Sequence, residues 1–226
     1  MIYTHAGPEV AVASTKAFLA QITACYLLGL YLAQLRGNKF EDEVREILGQ
    51  LAEVPQQIQR VLDGMDQVRR IAREMADARV VLFLGRHVGF PVALEGALKL
   101  KELAYIHAEG FAAGELKHGP IALIEEGLPV FVVVPSPRGR DSLHGKVVSN
   151  IQEIRARGAR TIVIAEEGDT DVAPYADTLV LVPRTPTLLA PLVTTVPLQV
   201  FAGELAMAKG LDIDQPRNLA KSVTVE

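Results

Sequence analysis

Three ionisable side chains stand at helical spacing in FPVALEGALKLKELAY, residues 90–105: Glu95, Lys99 and Glu102. Offsets of four and three residues place all three on one face of a helix. On spacing alone, a solvated face with a Glu–Lys pair worth roughly a few tenths of a kcal/mol is favoured. The functional interpretation is a carboxylate near a loop, Glu102, with Lys99 one turn away to set its pKa and bind anions.

The segment after this helix, residues 106–127, is interpreted as a long loop inside a compact domain. Such loops are usually either functional or disordered. Its many glycines and alanines allow close backbone approach, and His118 stands between Lys117 and a Gly-Pro turn. An acid/base role and a structural role are equally open for His118. The histidines at 5, 87 and 144 lack such a context and are predicted to be surface or capping residues.

The tail DQPRNLAKSVTVE, residues 214–226, has two interpretations. Terminal segments commonly fray, which would leave Arg217 and Lys221 as solvated cations. Alternatively, Pro216 stiffens a turn and the apolar residues Leu219, Val223 and Val225 dock the tail, which would fix Lys221 in place. A desolvated lysine can lose its proton near neutral pH and form a Schiff base with a carbonyl.

The rest of the chain predicts the elements that would position these residues. From Ser14 to Asp77 the pattern is helical, with breaks at Gly37-Asn38 and Gly64 and an interruption or kink at Pro55. From Arg79 onward, apolar strands alternate with helices, which indicates a doubly wound α/β parallel sheet of flavodoxin-like type preceded by a helical segment. The four predicted strands are RVVLFLG, PVFVVVP, RTIVIAEE and DTLVLVP.

Composition excludes several classes of partner. The 226 residues carry 23 basic and 27 acidic side chains mixed along the chain, a net charge of −4, so no nucleic-acid partner is expected. The one cysteine, Cys25, permits no intrachain disulfide, which fits a cytoplasmic protein. The apolar run 17–35 is interrupted by polar residues and is interpreted as a core or interface helix rather than a membrane span. Gly85-Arg86 lacks the dinucleotide-binding fingerprint, and no metal-ligand cluster is evident.

Three segments carry a resemblance to a known family: EVAVASTKAF, ALEGALKLKELAYIHAEGFAAGELKHGP and DQPRNLAKSVTVE. Together they closely resemble the isomerase region of glutamine-dependent glucosamine-6-phosphate synthases, which consists of two sugar-isomerase (SIS) domains. The resemblance implies that residues 1–77 are the helical remainder of a first SIS domain with linker helices. It further implies a second SIS domain at 78–210 and an active-site tail at 211–226.

The resemblance also implies a role for each matching residue. Glu102 matches the carboxylate that moves a proton between C1 and C2 of the sugar. His118 matches the histidine linked to ring opening, which the neighbouring subunit of a dimer donates. Lys221 matches the lysine that forms a Schiff base with the ketone of fructose 6-phosphate, and Lys99 and Arg217 resemble supporting cations.

The turn Val12-Ala13-Ser14 matches sugar-contacting residues, and Ala220 beside the tail lysine is assigned to the same substrate site by resemblance. The family's reaction converts fructose 6-phosphate and ammonia, supplied from glutamine, to glucosamine 6-phosphate. This chemistry needs an open sugar chain, an activated carbonyl and one base, and neither a metal nor an organic cofactor. The implied partners are therefore a sugar phosphate, a second copy of the chain and a glutaminase domain.

The sequence departs from the family in two respects. No N-terminal glutaminase cysteine follows Met1, and no Ser- and Thr-rich phosphate loop precedes the matching segment; SPRGRDS, residues 136–142, is better interpreted as a polar turn that opens a helix. We therefore expect this polypeptide alone to use no glutamine and to isomerise fructose 6-phosphate poorly or not at all. Two alternatives stay open: another double-SIS protein, a sugar-phosphate deaminase or deglycase, and a non-catalytic sugar-phosphate sensor.

Overall fold

The computed structural model of the chain describes residues 1–138 and 143–221. Five strands form one parallel sheet in the order β2-β1-β3-β4-β5. The strands are β1 Val80–Gly85, β2 His107–Ala112, β3 Pro129–Val133, β4 Arg160–Glu166 and β5 Thr178–Val182. The α-helices are α1 Lys16–Leu35, α2 Glu41–Asp63, α3 Asp66–Glu74, α4 Gly89–Ala104, α5 His144–Arg155 and α6 Ala190–Ala208. The doubly wound α/β prediction is confirmed.

Helices cover both faces of the sheet, as the continuously apolar strands require. On one face, α3, α4 and α6 pack against alternate strand residues, and Phe131 lies between Phe83 and Phe201 with ring centroids 5.1 and 4.5 Å away. On the other face, Leu82, Leu84 and the remaining strand residues pack against α5 and a short 3-10 helix, Ala113–His118. The side chains of α4 and those of that 3-10 helix therefore lie on opposite faces of the sheet.

Strand direction fixes where each helix ends. All strands are parallel, so their carboxyl ends meet at one edge of the sheet and their amino ends at the other. Helix α4 begins at Gly89, just beyond the carboxyl end of β1, and ends at Ala104, just before the amino end of β2. The last turn of α4 therefore lies at the amino edge of the sheet.

One local prediction was wrong. The segment predicted as one long loop contains β2, which pairs with β1 along six residues, and two 3-10 helices. Its histidine, glutamate and glycine content disfavours a strand, so pairing with β1 overrides local propensity.

Of the two effects predicted for Pro55, an interruption is excluded, because helix α2 continues through it. The predicted breaks at Gly37-Asn38 and Gly64 both lie between helices.

Helices α1 and α6 are both long and apolar enough to cross a membrane by length and composition. Sixty-one per cent of the α6 window is buried, so α6 is a core helix of the domain. In α1, Leu19 and Ile22 pack partly against the core, whereas Leu28 and Leu32 are exposed. Helix α1 therefore presents an apolar face that the rest of the described chain leaves uncovered.

Gly96 allows α4 to lie close to its neighbours, and we expect Gly96→Ala to lower the free energy of unfolding. A Cβ at this position would stand 2.7 Å from Leu198 Cδ1 and 3.1 Å from the Phe83 ring. Overpacking costs about 1–3 kcal/mol, which exceeds the gain of about 1 kcal/mol in helix propensity. Urea unfolding measures the change, with Gly203→Ala in α6 as the control.

Gly203 is a suitable control because its Cβ would meet no atom within 4 Å. Gly203→Ala should therefore leave stability unchanged or raise it by up to about 1 kcal/mol. Equal effects of the two substitutions would mean that helix propensity, rather than the contact of α4 with Leu198 and Phe83, decides the outcome.

Candidate active site

The three ionisable residues of α4 form a connected cluster rather than a solvated face. Lys99 is 2% exposed, and its Nζ lies 2.5 Å from Glu102 Oε2 and 3.5 Å from Glu95 Oε1. Glu95 is 8% exposed, whereas the side chain of Glu102 keeps 22% of its surface open. The interpretation of this face as solvent-exposed was wrong, because the segment around Glu95 and Lys99 is packed against the core. Glu102 is the carboxylate that a small molecule could reach.

Burial dominates the electrostatics of this cluster. Loss of hydration raises the pKa of Glu95; the Lys99 ammonium opposes this shift, and the Glu102 carboxylate adds to it. Glu95 Oε1 accepts no hydrogen bond from any residue that the structure describes, so the ion-pair contact with Lys99 is its main compensation. The carboxylates of Glu95 and Glu102 therefore share the Lys99 ammonium in an environment of low polarity. The cluster thus depends on Lys99.

Tyr105 connects the end of α4 to the C-terminal tail. It caps the helix in the left-handed conformation, with φ 55°, which is uncommon for a residue other than glycine. The backbone N–H of Arg217 donates a hydrogen bond of 2.6 Å to the Tyr105 hydroxyl. The Arg217 guanidinium also stacks 4.3 Å from the centre of the Tyr105 ring. Tyr105 was not among the residues predicted from the sequence, because a tyrosine after a helix carries no local signal for this role.

The tail also reaches the residues that precede α1. The N–H of Val12 donates to Asp214 O at 2.9 Å, and Pro216 is buried. The Lys221 ammonium donates to the carbonyl oxygens of Ala11 at 3.2 Å and Val12 at 3.4 Å, and it forms an ion pair with Glu9. The described part of the tail is thus held against the chain, although Leu219 remains exposed. Lys221 is fixed in place as predicted for a docked tail, but it is exposed rather than desolvated. Val223 and Val225 lie outside the described residues.

Residues 9–14, the tail and the end of α4 are therefore brought together through direct contacts. Ala13 is buried, Ser14 is partly exposed beside it, and Ala220 is exposed next to Lys221. Arg217 joins this group through its hydrogen bond to Tyr105, which stands three residues after Glu102 in the sequence. The three segments that carried the resemblance in sequence thus meet, with the tail bridging the other two.

His118 lies elsewhere. It ends the 3-10 helix that packs with α5, on the face of the sheet opposite α4, and it is exposed. Its neighbour Lys117 pairs with Glu153 of α5 at 2.7 Å. The sheet separates His118 from the Glu102 of the same chain, so within one chain these two residues cannot act on the same sugar.

The environment of His144 was predicted incorrectly. His144 was expected at the surface or as a cap, but it is 5% exposed and its Nε2 lies 2.7 Å from Asp169 Oδ2. Its spacing from Val147, Ile151 and Ile154 follows the buried face of α5, and that signal could have identified it. Asp171 lies beside this pair. The potential ligand atoms of His144, Asp169 and Asp171 all lie within 4.8 Å of one another, which is close enough to hold a metal ion. The hydrogen bond between His144 and Asp169 gives each of these two buried side chains a polar partner, and we assign the pair a structural role.

Comparison with known proteins places the chain in a family. The sequence model of the SIS domain matches residues 74–209. The chain is similar over its whole length to the glutamine–fructose-6-phosphate aminotransferases (isomerizing) of Corynebacterium glutamicum, at 74% identity, and Streptomyces coelicolor, at 73%. It spans only 36–37% of the length of those relatives. A solved C-terminal domain of glucosamine-fructose-6-phosphate aminotransferase from Francisella tularensis superposes with a TM-score of 0.85 and 35% identity over 92% of this chain and 58% of that one. The chain belongs to the SIS domain family.

Proposed function

We propose that this chain is the sugar-isomerising part of a glutamine–fructose-6-phosphate aminotransferase, which converts fructose 6-phosphate and ammonia to glucosamine 6-phosphate. The observation that carries the proposal is the contact of the tail with Tyr105, at the end of the helix that bears Glu102, and with residues 9–14, in a chain 74% identical, end to end, to such an enzyme. The relatives are longer, and their remaining part would supply ammonia from glutamine. Other sugar-phosphate proteins share the fold, but at 17–26% identity.

Imine formation and proton transfer each have a residue suited to them. The neutral amine of Lys221 would attack C2 of the open-chain ketose, and loss of one water molecule would leave an imine. Ammonia would then displace the lysine amine from C2. The imine makes a proton on C1 more acidic, and the Glu102 carboxylate would take that proton and return it to C2. Lys99, which donates to Glu102, would hold the carboxylate in position for both transfers.

The position of His118 favours action between two copies of the chain. Since the sheet separates His118 from Glu102 within one chain, a histidine that opens the sugar ring would have to come from a second subunit. We propose a homodimer in the cytoplasm, with the exposed apolar face of α1 covered by protein rather than lipid. Leu28 and Leu32 on that face are available for such packing.

Trapping with borohydride tests the Schiff base directly. When a full-length protein that carries this chain is incubated with fructose 6-phosphate and borohydride, we expect mass spectrometry to find a reduced adduct on Lys221. The reason is that borohydride reduces an imine to a stable secondary amine, which records the nucleophile. Lys221→Ala should remove the adduct, and Lys209→Ala, a change of another exposed lysine, should leave it.

Trapping, together with an assay of the reaction products, separates the alternatives. A non-catalytic sensor would give no adduct, whereas a deaminase or deglycase would release ammonia or amine from its own substrate without forming glucosamine 6-phosphate from glutamine. An adduct on any lysine other than Lys221 would contradict the role proposed for the tail.

A further inference from the structure

An open cavity of about 540 Å³, lined mostly by polar residue types, lies at the carboxyl edge of the sheet, away from the site described above. Its lining comes from two loops: one follows β3 and the other follows β5. The lining residues are Ser136, Arg138, Arg184, Thr185, Pro186 and Thr187. A volume of this size is within the range of small-molecule sites, about 300–1,000 Å³.

The topology of the sheet marks this edge as the place for a ligand. The strand order reverses at β1, which has β2 on one side and β3 on the other. In open parallel sheets, ligands bind outside the carboxyl ends of the strands near such a reversal. Ser136 and Arg138, just after β3, form one wall of the cavity, which lies on this carboxyl edge across the end of β4 from the residues that follow β5. Glu102, by contrast, lies on the last turn of α4 at the amino edge.

Arg184 supplies a cation suited to an anionic group. Its Nε donates to the carbonyl oxygen of Glu167 at 3.2 Å, which fixes the orientation of the guanidinium. No carboxylate in the described ranges lies within 4.0 Å of Arg184, so its charge is not neutralised there. Thr185 and Thr187 line the same space. The Thr185 hydroxyl donates to Gln57 Oε1 and Pro183 O, so Thr187 is the threonine suited to an anionic ligand. A guanidinium with nearby hydroxyls is the donor set that binds a phosphate group.

The neighbouring pair of Arg138 and Glu166 offers a second kind of recognition. Glu166 is the last residue of β4, is 8% exposed, and pairs with the Arg138 guanidinium at 2.5 Å. It lines a smaller recess that shares Ser136 and Thr185 with the main cavity. A carboxylate accepts hydrogen bonds from hydroxyl groups, and the guanidinium donates to them. The pair is therefore suited to the hydroxyls of a sugar rather than to its phosphate.

We propose that this cavity is a second sugar-phosphate site, separate from the site around Glu102. The phosphate lies against Arg184 and Thr187, and the sugar hydroxyls face Arg138 and Glu166. Among the described residues, Arg138, Arg184 and Glu166 together carry one net positive charge, which matches an anionic ligand. Because this site is on the opposite edge of the sheet, a ligand in it acts on the protein from a distance and takes no part in the chemistry at Glu102.

Calorimetric titration of the full chain with fructose 6-phosphate tests the proposal. We expect Arg184→Gln to weaken binding at least about tenfold, because it removes a charge-assisted contact. Arg184→Lys, which keeps the charge but loses the planar fork, should show an intermediate loss. Arg157→Gln, at the exposed end of α5, should bind as the wild type does. Circular dichroism of each variant checks that the fold is retained.

Two further titrations identify the ligand and the position at which it binds. Inorganic phosphate and fructose should each bind more weakly than fructose 6-phosphate; phosphate that binds equally well would overturn the sugar part of the proposal. Lys221→Ala should leave the Arg184-dependent part of the binding unchanged and should affect only the part that belongs to the tail. Binding that depends on Lys221 but not on Arg184 would place the ligand at the tail and overturn the second site.

Discussion

Replacing Lys99 with methionine should lower the free energy of unfolding by about 3–5 kcal/mol at pH 7, because it removes the shared partner of two carboxylates. Lys99 is 2% exposed and lies 2.5 Å from Glu102 and 3.5 Å from Glu95. The methionine side chain has a similar volume, so the expected loss of stability comes from the missing positive charge rather than from changed packing. Urea unfolding at fixed pH measures it.

The pH dependence of this loss distinguishes charge from packing. Burial already raises the pKa of Glu95, and the Lys99 ammonium holds part of that rise back. Without Lys99 the pKa of Glu95 rises further. The folded state then binds this proton more tightly than the unfolded state, so stability falls as pH rises from the ordinary value of 4.5 through the raised pKa. The deficit of Lys99→Met should therefore shrink as the pH is lowered from 8 towards 5.

Lys101→Met is the matched control. Lys101 is exposed on the same helix, and its replacement should change stability by no more than about 0.5 kcal/mol at any of these pH values. A Lys99→Met deficit that is constant with pH would show that the buried methylene chain, rather than the ammonium, is what the cluster requires.

Hydrophobic pattern was sufficient to predict most of the fold. The four continuously apolar strands are β1, β3, β4 and β5, and the ends of α4 lie within one residue of those predicted. Strand β2 was missed, because HAEGFA has neither a continuous nor an alternating apolar pattern and forms a strand only by pairing with β1. Its stability comes from long-range contacts, which local propensity does not report.

The candidate site was only partly predictable for a similar reason. Spacing correctly placed Glu95, Lys99 and Glu102 on one face of α4, but it favoured the wrong environment for that face. Burial depends on which face of α4 turns towards the core, and the helix is apolar on several sides. The contacts of the tail with Tyr105 and Val12 join positions more than 100 residues apart, so spacing could not predict them.

Glu102→Gln should reduce the formation of glucosamine 6-phosphate by about 10²–10⁴-fold in a full-length protein that carries this chain, since that is the usual contribution of a general base. The amide has nearly the same shape as the carboxylate, and its carbonyl oxygen can still accept the hydrogen bond from Lys99. It cannot take a proton from C1 of the sugar. The loss should appear in kcat, with little change in KM for fructose 6-phosphate.

Two readouts separate a missing base from a damaged site. The variant should still hydrolyse glutamine and should still give the borohydride adduct on Lys221, because imine formation does not need the Glu102 carboxylate. Glu109→Gln, an exposed change in β2, should keep full activity. If Glu102→Gln instead retains activity within about threefold of the wild type, another group moves the proton, and the buried cluster on α4 serves to stabilise the helix.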